Sequence, residues 1–197
     1  KMNVPNQLTV ARFGLTVVFL AILFSEIAFY QSWALVIFMV ASLTDYLDGK
    51  IARRDNLITD FGKLMDPLAD KILTGAAFIA FVGLDRMPAW MVIVIVSREL
   101  AITGLRLLAA SKQVVLAAER FGKHKTISQI TAIIALLLEM AYPTWGAWGE
   151  WLFGGTLAGQ PWVSGLASFA QWVAVVLTFY SGAVYLWKNR KLYLEDI

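Results

Sequence analysis

Six long apolar stretches divide this chain of 197 residues and decide what kind of protein it can form. The hydrocarbon core of a bilayer is about 30 Å thick, and a helix of roughly 20 apolar residues crosses it. Windows near that length lie at about residues 10–29, 32–50, 66–84, 88–109, 126–144 and 163–187. Because 59% of the residues are hydrophobic and 16% are charged, a water-soluble globule could not bury this apolar surface. The sequence predicts an all-α integral membrane protein with six transmembrane helices.

The segment before the first window predicts a short amphipathic helix at the membrane interface. Polar residues fall on one side of it at helical spacing and apolar residues on the other: Pro5, Asn6, Thr9 and Arg12 against Val4, Leu8 and Ala11. Such a helix lies along the membrane surface rather than across it. Since no small-residue cleavage site follows, we expect the first window to be retained as a helix. Residues 1–197 are expected to form one membrane domain.

The basic residues are unevenly distributed between the connections. Residues 50–63 carry four of them, residues 106–125 carry five, and the tail adds Lys188, Arg190 and Lys191. The other set of connections holds Arg86 alone, together with three acidic residues. By the positive-inside rule, both termini and the two basic connections are expected on the cytoplasmic side of the cell membrane. The net charge of +3 is too small in so apolar a chain to indicate nucleic-acid binding.

The composition also limits the metal chemistry. The chain has no cysteine and one histidine, which excludes disulfides, thiolate metal sites and cysteine nucleophiles. Zinc sites usually use several imidazole or thiolate ligands, so any metal here is expected to have oxygen ligands.

Four aspartates flank the connection between the second and third windows. Asp45 and Asp48 are spaced i, i+3 at the inner end of the second helix, and Asp66 and Asp70 are spaced i, i+4 at the start of the third. Each pair projects from one helix face, and helices joined by a short turn are antiparallel neighbours. We expect the four carboxylates to converge near the cytoplasmic membrane surface. Asp55 and Asp60 fall among polar residues of the turn and are expected to be merely solvated.

Such a cluster needs compensating positive charge. An ionised acid inside a bilayer costs on the order of 2.5 to 3.5 kcal/mol on insertion scales, and clustering adds repulsion. The two positive charges of Arg53 and Lys71 are too few to balance four carboxylates. Two divalent ions such as Mg²⁺, Mn²⁺ or Ca²⁺ would match the four negative charges. Paired ions of this kind draw charge from a phosphoryl centre and its leaving group. Gly49 and Ala52 leave room for a bulky group, and Arg53 adds a phosphate-binding fork.

The same residues fit the signature D-x2-D-G-x2-A-R-x8-G-x3-D-x3-D, and the chain thereby resembles the CDP-alcohol phosphotransferase family. The matching positions are Asp45, Asp48, Gly49, Ala52, Arg53, Gly62, Asp66 and Asp70. The resemblance implies six transmembrane helices with an amphipathic N-terminal segment, and a homodimer. It also implies an enzyme in which a CDP-linked lipid gives its phosphatidyl group to an alcohol and releases CMP.

The resemblance assigns roles to these positions. It makes Asp45, Asp48 and Asp66 ligands of two Mg²⁺ ions, with Mn²⁺ as the alternative ion. It gives Asp70 a place in the metal site and the role of the base that takes the alcohol proton. It assigns the CDP-lipid to Asp48, Gly49, Ala52, Arg53 and Gly62.

Further basic residues lie where an acceptor could bind. Arg98 is in the middle of the fourth window, and a guanidinium there is expensive unless it is paired. Glu99 projects about 100° away on a helix, so we expect a metal-site carboxylate or a ligand phosphate to be the partner, with a structural ion pair as the alternative. Residues 122–126, Gly-Lys-His-Lys-Thr, form a cationic run beside a helix N-terminus, which favours phosphate. The alternative for this run is an ordinary positive-inside flank.

These features resemble the branch of the family whose acceptor is glycerol 3-phosphate. The resemblance rests on residues 6–12, on the triplet Arg98-Glu99-Leu100 and on residues 122–126. It implies CDP-diacylglycerol and glycerol 3-phosphate as substrates and phospholipid synthesis as the function. It places Asn6, Thr9 and Arg12 near the CDP-lipid and the acceptor phosphate on Arg98, Lys123, Lys125 and Thr126.

Two alternatives remain at this stage. The same signature would serve inositol phosphate, serine or phosphatidylglycerol as acceptor. Six helices with intramembrane acids also occur in divalent-cation transporters. A transporter predicts acids spread along a path through the membrane, whereas these four gather at one end.

Overall fold

The computed structural model describes the backbone of residues 4–55, 60–114, 121–157 and 159–194. It describes the side chains of residues 10–44, 71–114, 124–157 and 159–194.

Helices dominate the described chain. In chain order the elements are α1 (Val4–Leu23), α2 (Tyr30–Asp55), α3 (Asp60–Gly83), α4 (Ala89–Ser111), α5 (Phe121–Ala141), a 3-10 helix (Tyr142–Trp145), α6 (Ala147–Phe153), β1 (Thr156–Leu157), β2 (Gln160–Pro161), α7 (Trp162–Lys188) and α8 (Arg190–Leu194). Helices α1 to α5 and α7 each overlap one of the six apolar windows, so the prediction of an all-α fold is confirmed. The two short strands form an antiparallel hairpin.

The prediction of a separate N-terminal helix is wrong. Val4–Leu23 is one continuous helix, so the amphipathic segment forms the first turns of α1. The helix also ends at Leu23, six residues before the predicted window does, and Phe29 has a positive φ of 59°. The hydroxyl of Ser25 donates to the carbonyl of Ile22 at 2.7 Å, as expected at a helix end. Residues 24–29 are mostly apolar, so hydropathy alone did not mark this end.

Helices α2 and α3 continue through the aspartate motif. Helix α2 runs five residues past its predicted end, and α3 begins six residues before its predicted start. The motif therefore lies on helical backbone rather than in a long loop. Residues 56–59, between the two helices, lie outside the described residues.

The helices pack around an aromatic core. Helix α1 contacts α2 and α3, α5 contacts α2 and α7, and α4 contacts α3 and α7. Phe19, Phe38, Phe78 and Phe81 are fully buried, and the ring centroids of Phe19 and Phe38 are 5.7 Å apart. The two rings are tilted by 53° to each other, and aromatic pairs at this distance add to the free energy gained by burial. This core fixes α1, α2 and α3, which carry most of the predicted donor site.

The segment between α5 and α7 contains the 3-10 helix, α6 and the hairpin. Trp145 donates through Nε1 to the hydroxyl of Ser32 at 2.7 Å, which joins the 3-10 helix to α2. A Cβ atom at Gly149 would lie 2.1 Å from the carbonyl oxygen of Tyr142, so only glycine fits there. Trp148 and Trp151 are each 75% exposed, as expected for indole rings at a membrane interface.

The outer surfaces of the helices have the character of a membrane protein. Among the described residues, two helical stretches are long and apolar enough to cross a bilayer, His124–Trp145 and Trp162–Lys188. Shorter apolar helices are Val10–Leu23, Tyr30–Thr44 and Lys71–Gly83. Helix α4 has spanning length but carries three charged residues. Large apolar side chains such as Ile93, Leu107 and Phe169 are more than 60% exposed, which suits contact with lipid. The chain is an all-α membrane protein.

Candidate active site

The aspartate motif lies on two helices that follow each other in the chain. Asp45 and Asp48 are in the second half of α2, and Asp66 and Asp70 are in the first half of α3. The helical backbone supports the predicted spacing, since residues three and four apart share a helix face. The predicted site residues whose side chains lie outside the described ones are Asn6, Thr9, Asp45, Asp48, Gly49, Ala52, Arg53, Gly62, Asp66, Asp70 and Lys123.

Arg12 lies inside the protein rather than on the membrane surface. Its relative exposure is 3%, and that of Thr16, one turn later, is 4%. The hydroxyl of Thr16 donates to the carbonyl of Arg12 at 2.9 Å. The neighbouring Val10 is 46% exposed. Arg12 and Thr16 therefore face the interior of the helix bundle, contrary to the interfacial orientation predicted for Arg12, because a buried guanidinium finds polar groups inside the bundle and not in the lipid.

The cationic cluster of the predicted acceptor site centres on Glu99. Its Oε1 atom lies 3.2 Å from Nη1 of Arg98 and also accepts from Nζ of Lys125. Arg98 and Glu99 come from α4, whereas Lys125 comes from the first turns of α5. The expected separation of Arg98 from Glu99 is wrong, because the long guanidinium arm bends back to its neighbour. Arg98 and Lys125 are brought together by their shared contact with Glu99, and the half-buried Thr126 follows Lys125.

A second hydrogen-bond chain joins α3 to the same cluster. Nζ of Lys71 donates to the hydroxyl of Thr103, which donates to the backbone carbonyl of Glu99 at 2.7 Å. Lys71 directly follows Asp70 in α3. The sequence alone indicated neither the contact of Lys71 with Thr103 nor the central place of Glu99. Residues 71 and 103 are 32 positions apart, so no short-range spacing pattern shows that they meet. The helix that carries the aspartates is thus linked to the helix that carries Arg98.

Gly182 on α7 makes room for Arg98. A Cβ atom at position 182 would lie 2.6 Å from Cγ of Arg98, closer than side-chain atoms approach each other. Its other contacts would be Cβ and Cδ of Arg98, at 3.6 and 3.7 Å. Because these atoms form the stem of the side chain, the whole arginine would have to move. The position of the guanidinium therefore depends on the missing side chain at 182.

Helices α5 and α7 are held in register next to this cluster. Nε2 of Gln129 donates to the hydroxyl of Thr178 at 3.0 Å, and both residues are buried. Gln129 lies one turn after Lys125, and Thr178 lies one turn before Gly182. The hydrogen bond therefore fixes the two helix turns that place Lys125 and Arg98.

A cavity of about 720 Å³ opens between α3 and α4. Lys71, Thr74, Glu99, Thr103 and Arg106 supply its polar groups, and the remaining wall is mostly aliphatic. Arg106 donates to the hydroxyl of Tyr185 at 3.5 Å, and its guanidinium lies 5.7 Å from the centre of that ring. The cavity gives access to the Glu99 cluster from the side of α3.

The cluster has the properties of an anion site. The side chains of Arg98, Glu99 and Lys125 are only 13%, 15% and 7% exposed, so their charges are poorly screened by water. The Nε atom of Arg98 is buried and makes no hydrogen bond to any described residue. A buried donor without a partner is costly, and a phosphate oxygen would satisfy it.

No group of three acidic or histidine side chains that could hold a metal ion occurs among the described side chains. The four motif aspartates lie outside that set. Their carboxylate oxygens are the ligands that Mg²⁺ prefers, so the chemistry of this donor set fits the predicted ion.

Comparison with known proteins places the site in context. The profile of the CDP-alcohol phosphatidyltransferase family matches residues 2–180. A Bacillus subtilis protein named CDP-diacylglycerol–glycerol-3-phosphate 3-phosphatidyltransferase is 42% identical over 205 residues, covering 95% of each chain. A Rickettsia typhi protein of the same name is 32% identical over 183 residues, covering 93% of this chain and 94% of that one. The family match includes the aspartate motif and the Glu99 cluster, and it ends two residues before Gly182.

Proposed function

The chain belongs to the CDP-alcohol phosphatidyltransferase family, and on this premise we propose that it makes phosphatidylglycerophosphate. In this reaction the phosphatidyl group of CDP-diacylglycerol passes to glycerol 3-phosphate, and CMP is released. The observation that carries the proposal is the buried cationic cluster of Arg98 and Lys125 in a chain that is 42% identical to a named glycerol-3-phosphate phosphatidyltransferase.

Two Mg²⁺ ions complete the donor site in this proposal. Asp45, Asp48, Asp66 and Asp70 would hold them, since carboxylates three and four residues apart share a face of α2 and of α3. Bound there, the ions would neutralise the pyrophosphate of the donor and make CMP a better leaving group. Mn²⁺ is the alternative ion.

The remaining motif residues would bind the CDP-lipid. Gly49, Ala52 and Gly62 leave space for the nucleotide, and Arg53 pairs with a phosphate. Asn6, Thr9 and Arg12 lie on α1, and the burial of Arg12 supports a role inside the bundle.

The chain's own residues would carry out the transfer as follows. Arg98 and Lys125 hold the phosphate of glycerol 3-phosphate, with Lys123 and Thr126 beside them. Asp70 accepts the proton of the free primary hydroxyl as its oxygen attacks the lipid-linked phosphorus. The new P–O bond forms to glycerol while the P–O bond to CMP breaks. Lys71, the neighbour of Asp70, is tied through Thr103 to the helix of Arg98, which connects the two halves of the site.

The proposal also includes an arrangement in the membrane. Six helices cross the cytoplasmic membrane, both termini lie in the cytoplasm, and the site opens to the cytoplasm, which supplies glycerol 3-phosphate and which the CDP headgroup of the lipid faces. The positive-inside pattern supports this orientation. A homodimer, as the family resemblance implies, is part of the proposal.

The test is CMP release by purified protein in detergent with CDP-diacylglycerol and Mg²⁺. Glycerol 3-phosphate, inositol phosphate, serine and phosphatidylglycerol are supplied one at a time. We expect CMP with glycerol 3-phosphate, together with an equal amount of phosphatidylglycerophosphate by mass spectrometry. Release with a different acceptor would keep the aspartate chemistry and refute the choice of substrate. Release with none would refute the proposed function.

A further inference from the structure

Glu99 stands between the two cations that the proposed function assigns to the acceptor. Resting on that function, we propose that Glu99 is a positioning residue: its carboxylate holds Arg98 and Lys125 where they bind a phosphomonoester. By doing so it sets the preference for a phosphorylated alcohol over an unphosphorylated one.

The first support is the geometry of the carboxylate. One oxygen, Oε1 of Glu99, pairs with Nη1 of Arg98 at 3.2 Å and with Nζ of Lys125. The two cations belong to different helices, so the carboxylate connects α4 to α5 at this level. Two like charges with so little exposure repel each other strongly unless a negative group lies between them. Without Glu99, the two cations would move apart, and neither would be held in a fixed position for binding the acceptor.

The second support is the balance of charge. Lys71, Arg98 and Lys125 supply three positive charges around the single negative charge of Glu99, since Lys71 is bound through Thr103 to the Glu99 backbone. The described side chains of the cluster therefore carry two net positive charges. A phosphomonoester carries roughly 1.5 to 2 negative charges near neutral pH. The acceptor phosphate is opposite in sign to this charge, whereas an unphosphorylated alcohol has no charge with which to pair.

The third support is the unused capacity of Arg98. Its Nη1 is taken by Glu99, while its Nε is buried with no hydrogen bond to any residue in the described part of the chain. The arginine is thus held at one nitrogen and can still donate from another. Side chains that are already ordered before the ligand binds lose less conformational entropy on binding. Glu99 supplies this order without occupying every donor.

The test compares Glu99→Gln with the parent protein in detergent. Glutamine keeps the shape of the side chain and removes its charge. We expect the KM for glycerol 3-phosphate to rise about tenfold or more, and the KM for CDP-diacylglycerol to stay within about twofold. The ratio of kcat/KM for glycerol 3-phosphate to that for glycerol should fall by a similar factor. Glu139→Gln is the matched control, because Glu139 lies on α5 about 21 Å along the helix from Lys125.

A double variant tests whether Glu99 acts through Lys125. In a Lys125→Met background, adding Glu99→Gln should raise the KM for glycerol 3-phosphate by a smaller factor than in the parent protein, because one of the two cations that Glu99 positions is already gone. An equal effect in both backgrounds would overturn the inference. A lower KM in Glu99→Gln, or equal rises for both substrates, would also overturn it.

A binding measurement separates this inference from the proposed function. We expect inorganic phosphate to raise the Tm of the parent protein and of Glu139→Gln, and to raise that of Glu99→Gln much less. If the parent protein releases no CMP with glycerol 3-phosphate but shows this pattern, the function is wrong and the phosphate site stands. If the parent is active and both KM and phosphate response are unchanged in Glu99→Gln, the inference is wrong and the function stands.

Discussion

Gly182 on α7 lies so close to Arg98 on α4 that a Cβ atom at 182 would be 2.6 Å from the arginine Cγ. The relationship joins residues 84 positions apart, and it determines where the guanidinium lies. In the proposed enzyme this guanidinium binds the acceptor phosphate. A single methyl group therefore offers a way to move one binding residue without changing it.

Gly182→Ala is expected to displace Arg98 and to raise the KM for glycerol 3-phosphate about tenfold or more, since shifts near 1 Å are costly at reacting groups. The KM for CDP-diacylglycerol should change little. Gly165→Ala on the same helix is the matched control, because a Cβ atom there would meet nothing within 4 Å. Steady-state kinetics with each substrate varied in turn make the measurement. Equal kinetics for the two alanine variants would show that Arg98 does not need this space.

Asp70→Asn is expected to abolish turnover while the protein stays folded. Loss of a general base commonly costs 10²-fold to 10⁴-fold in rate, and here a proposed metal ligand is lost as well. Asp55→Asn is the control, because Asp55 lies at the end of α2 outside the signature. CMP release gives the rate, and gel filtration with circular dichroism checks the fold. Near-normal turnover in Asp70→Asn would remove this residue from the mechanism.

Removal of divalent ions is expected to stop CMP release. A chelator in excess should bring the rate to background, and adding back Mg²⁺ should restore it, because carboxylates without ions cannot neutralise the donor pyrophosphate. The response of Tm to inorganic phosphate should persist in the chelator, since the Glu99 cluster contains no proposed ion ligand. Undiminished turnover in the chelator would contradict the two-ion site.

The hydrogen bond between Gln129 and Thr178 is expected to stabilise the packing of α5 on α7. Thr178→Val should lower the Tm by a few degrees, since hydrogen bonds between membrane helices contribute roughly 0.6 to 1.7 kcal/mol. Thr131→Val is the control, because its exposed hydroxyl donates only within α5, to the carbonyl of Ile127. Thermal unfolding in detergent gives the comparison. If both variants melt alike, the buried hydrogen bond is not a stabilising contact between the helices.

The sequence predicted the helices better than their ends. Apolar length located the six long helices of the described part of the chain, because an apolar stretch of roughly 20 residues is long enough to form a helix that crosses a bilayer. It extended the first helix to residue 29, whereas α1 ends at Leu23. It also placed residues 51–55 in a loop, whereas α2 continues to Asp55. Helix ends depend on turns and capping hydrogen bonds, to which hydropathy is insensitive.

The candidate site divides in a similar way. The aspartate motif was recognised because its spacing along the chain is fixed. The partnership of Glu99 with Lys125 joins residues 26 positions apart, and that of Lys71 with Thr103 joins residues 32 apart. Such contacts depend on how helices pack, and one sequence contains no local signal for them. The sequence alone does not show the role of Gly182 either, because that role depends on Arg98 packing into the space that a side chain at 182 would occupy.

The central claim is that the glycerol oxygen attacks the lipid-linked phosphorus. Glycerol 3-phosphate labelled with ¹⁸O at its free primary hydroxyl tests this claim directly, with CDP-diacylglycerol, Mg²⁺ and purified protein. The account predicts that the label appears in the phosphodiester of phosphatidylglycerophosphate and that the released CMP is unlabelled. Label in CMP, or a lipid product without label, would contradict it.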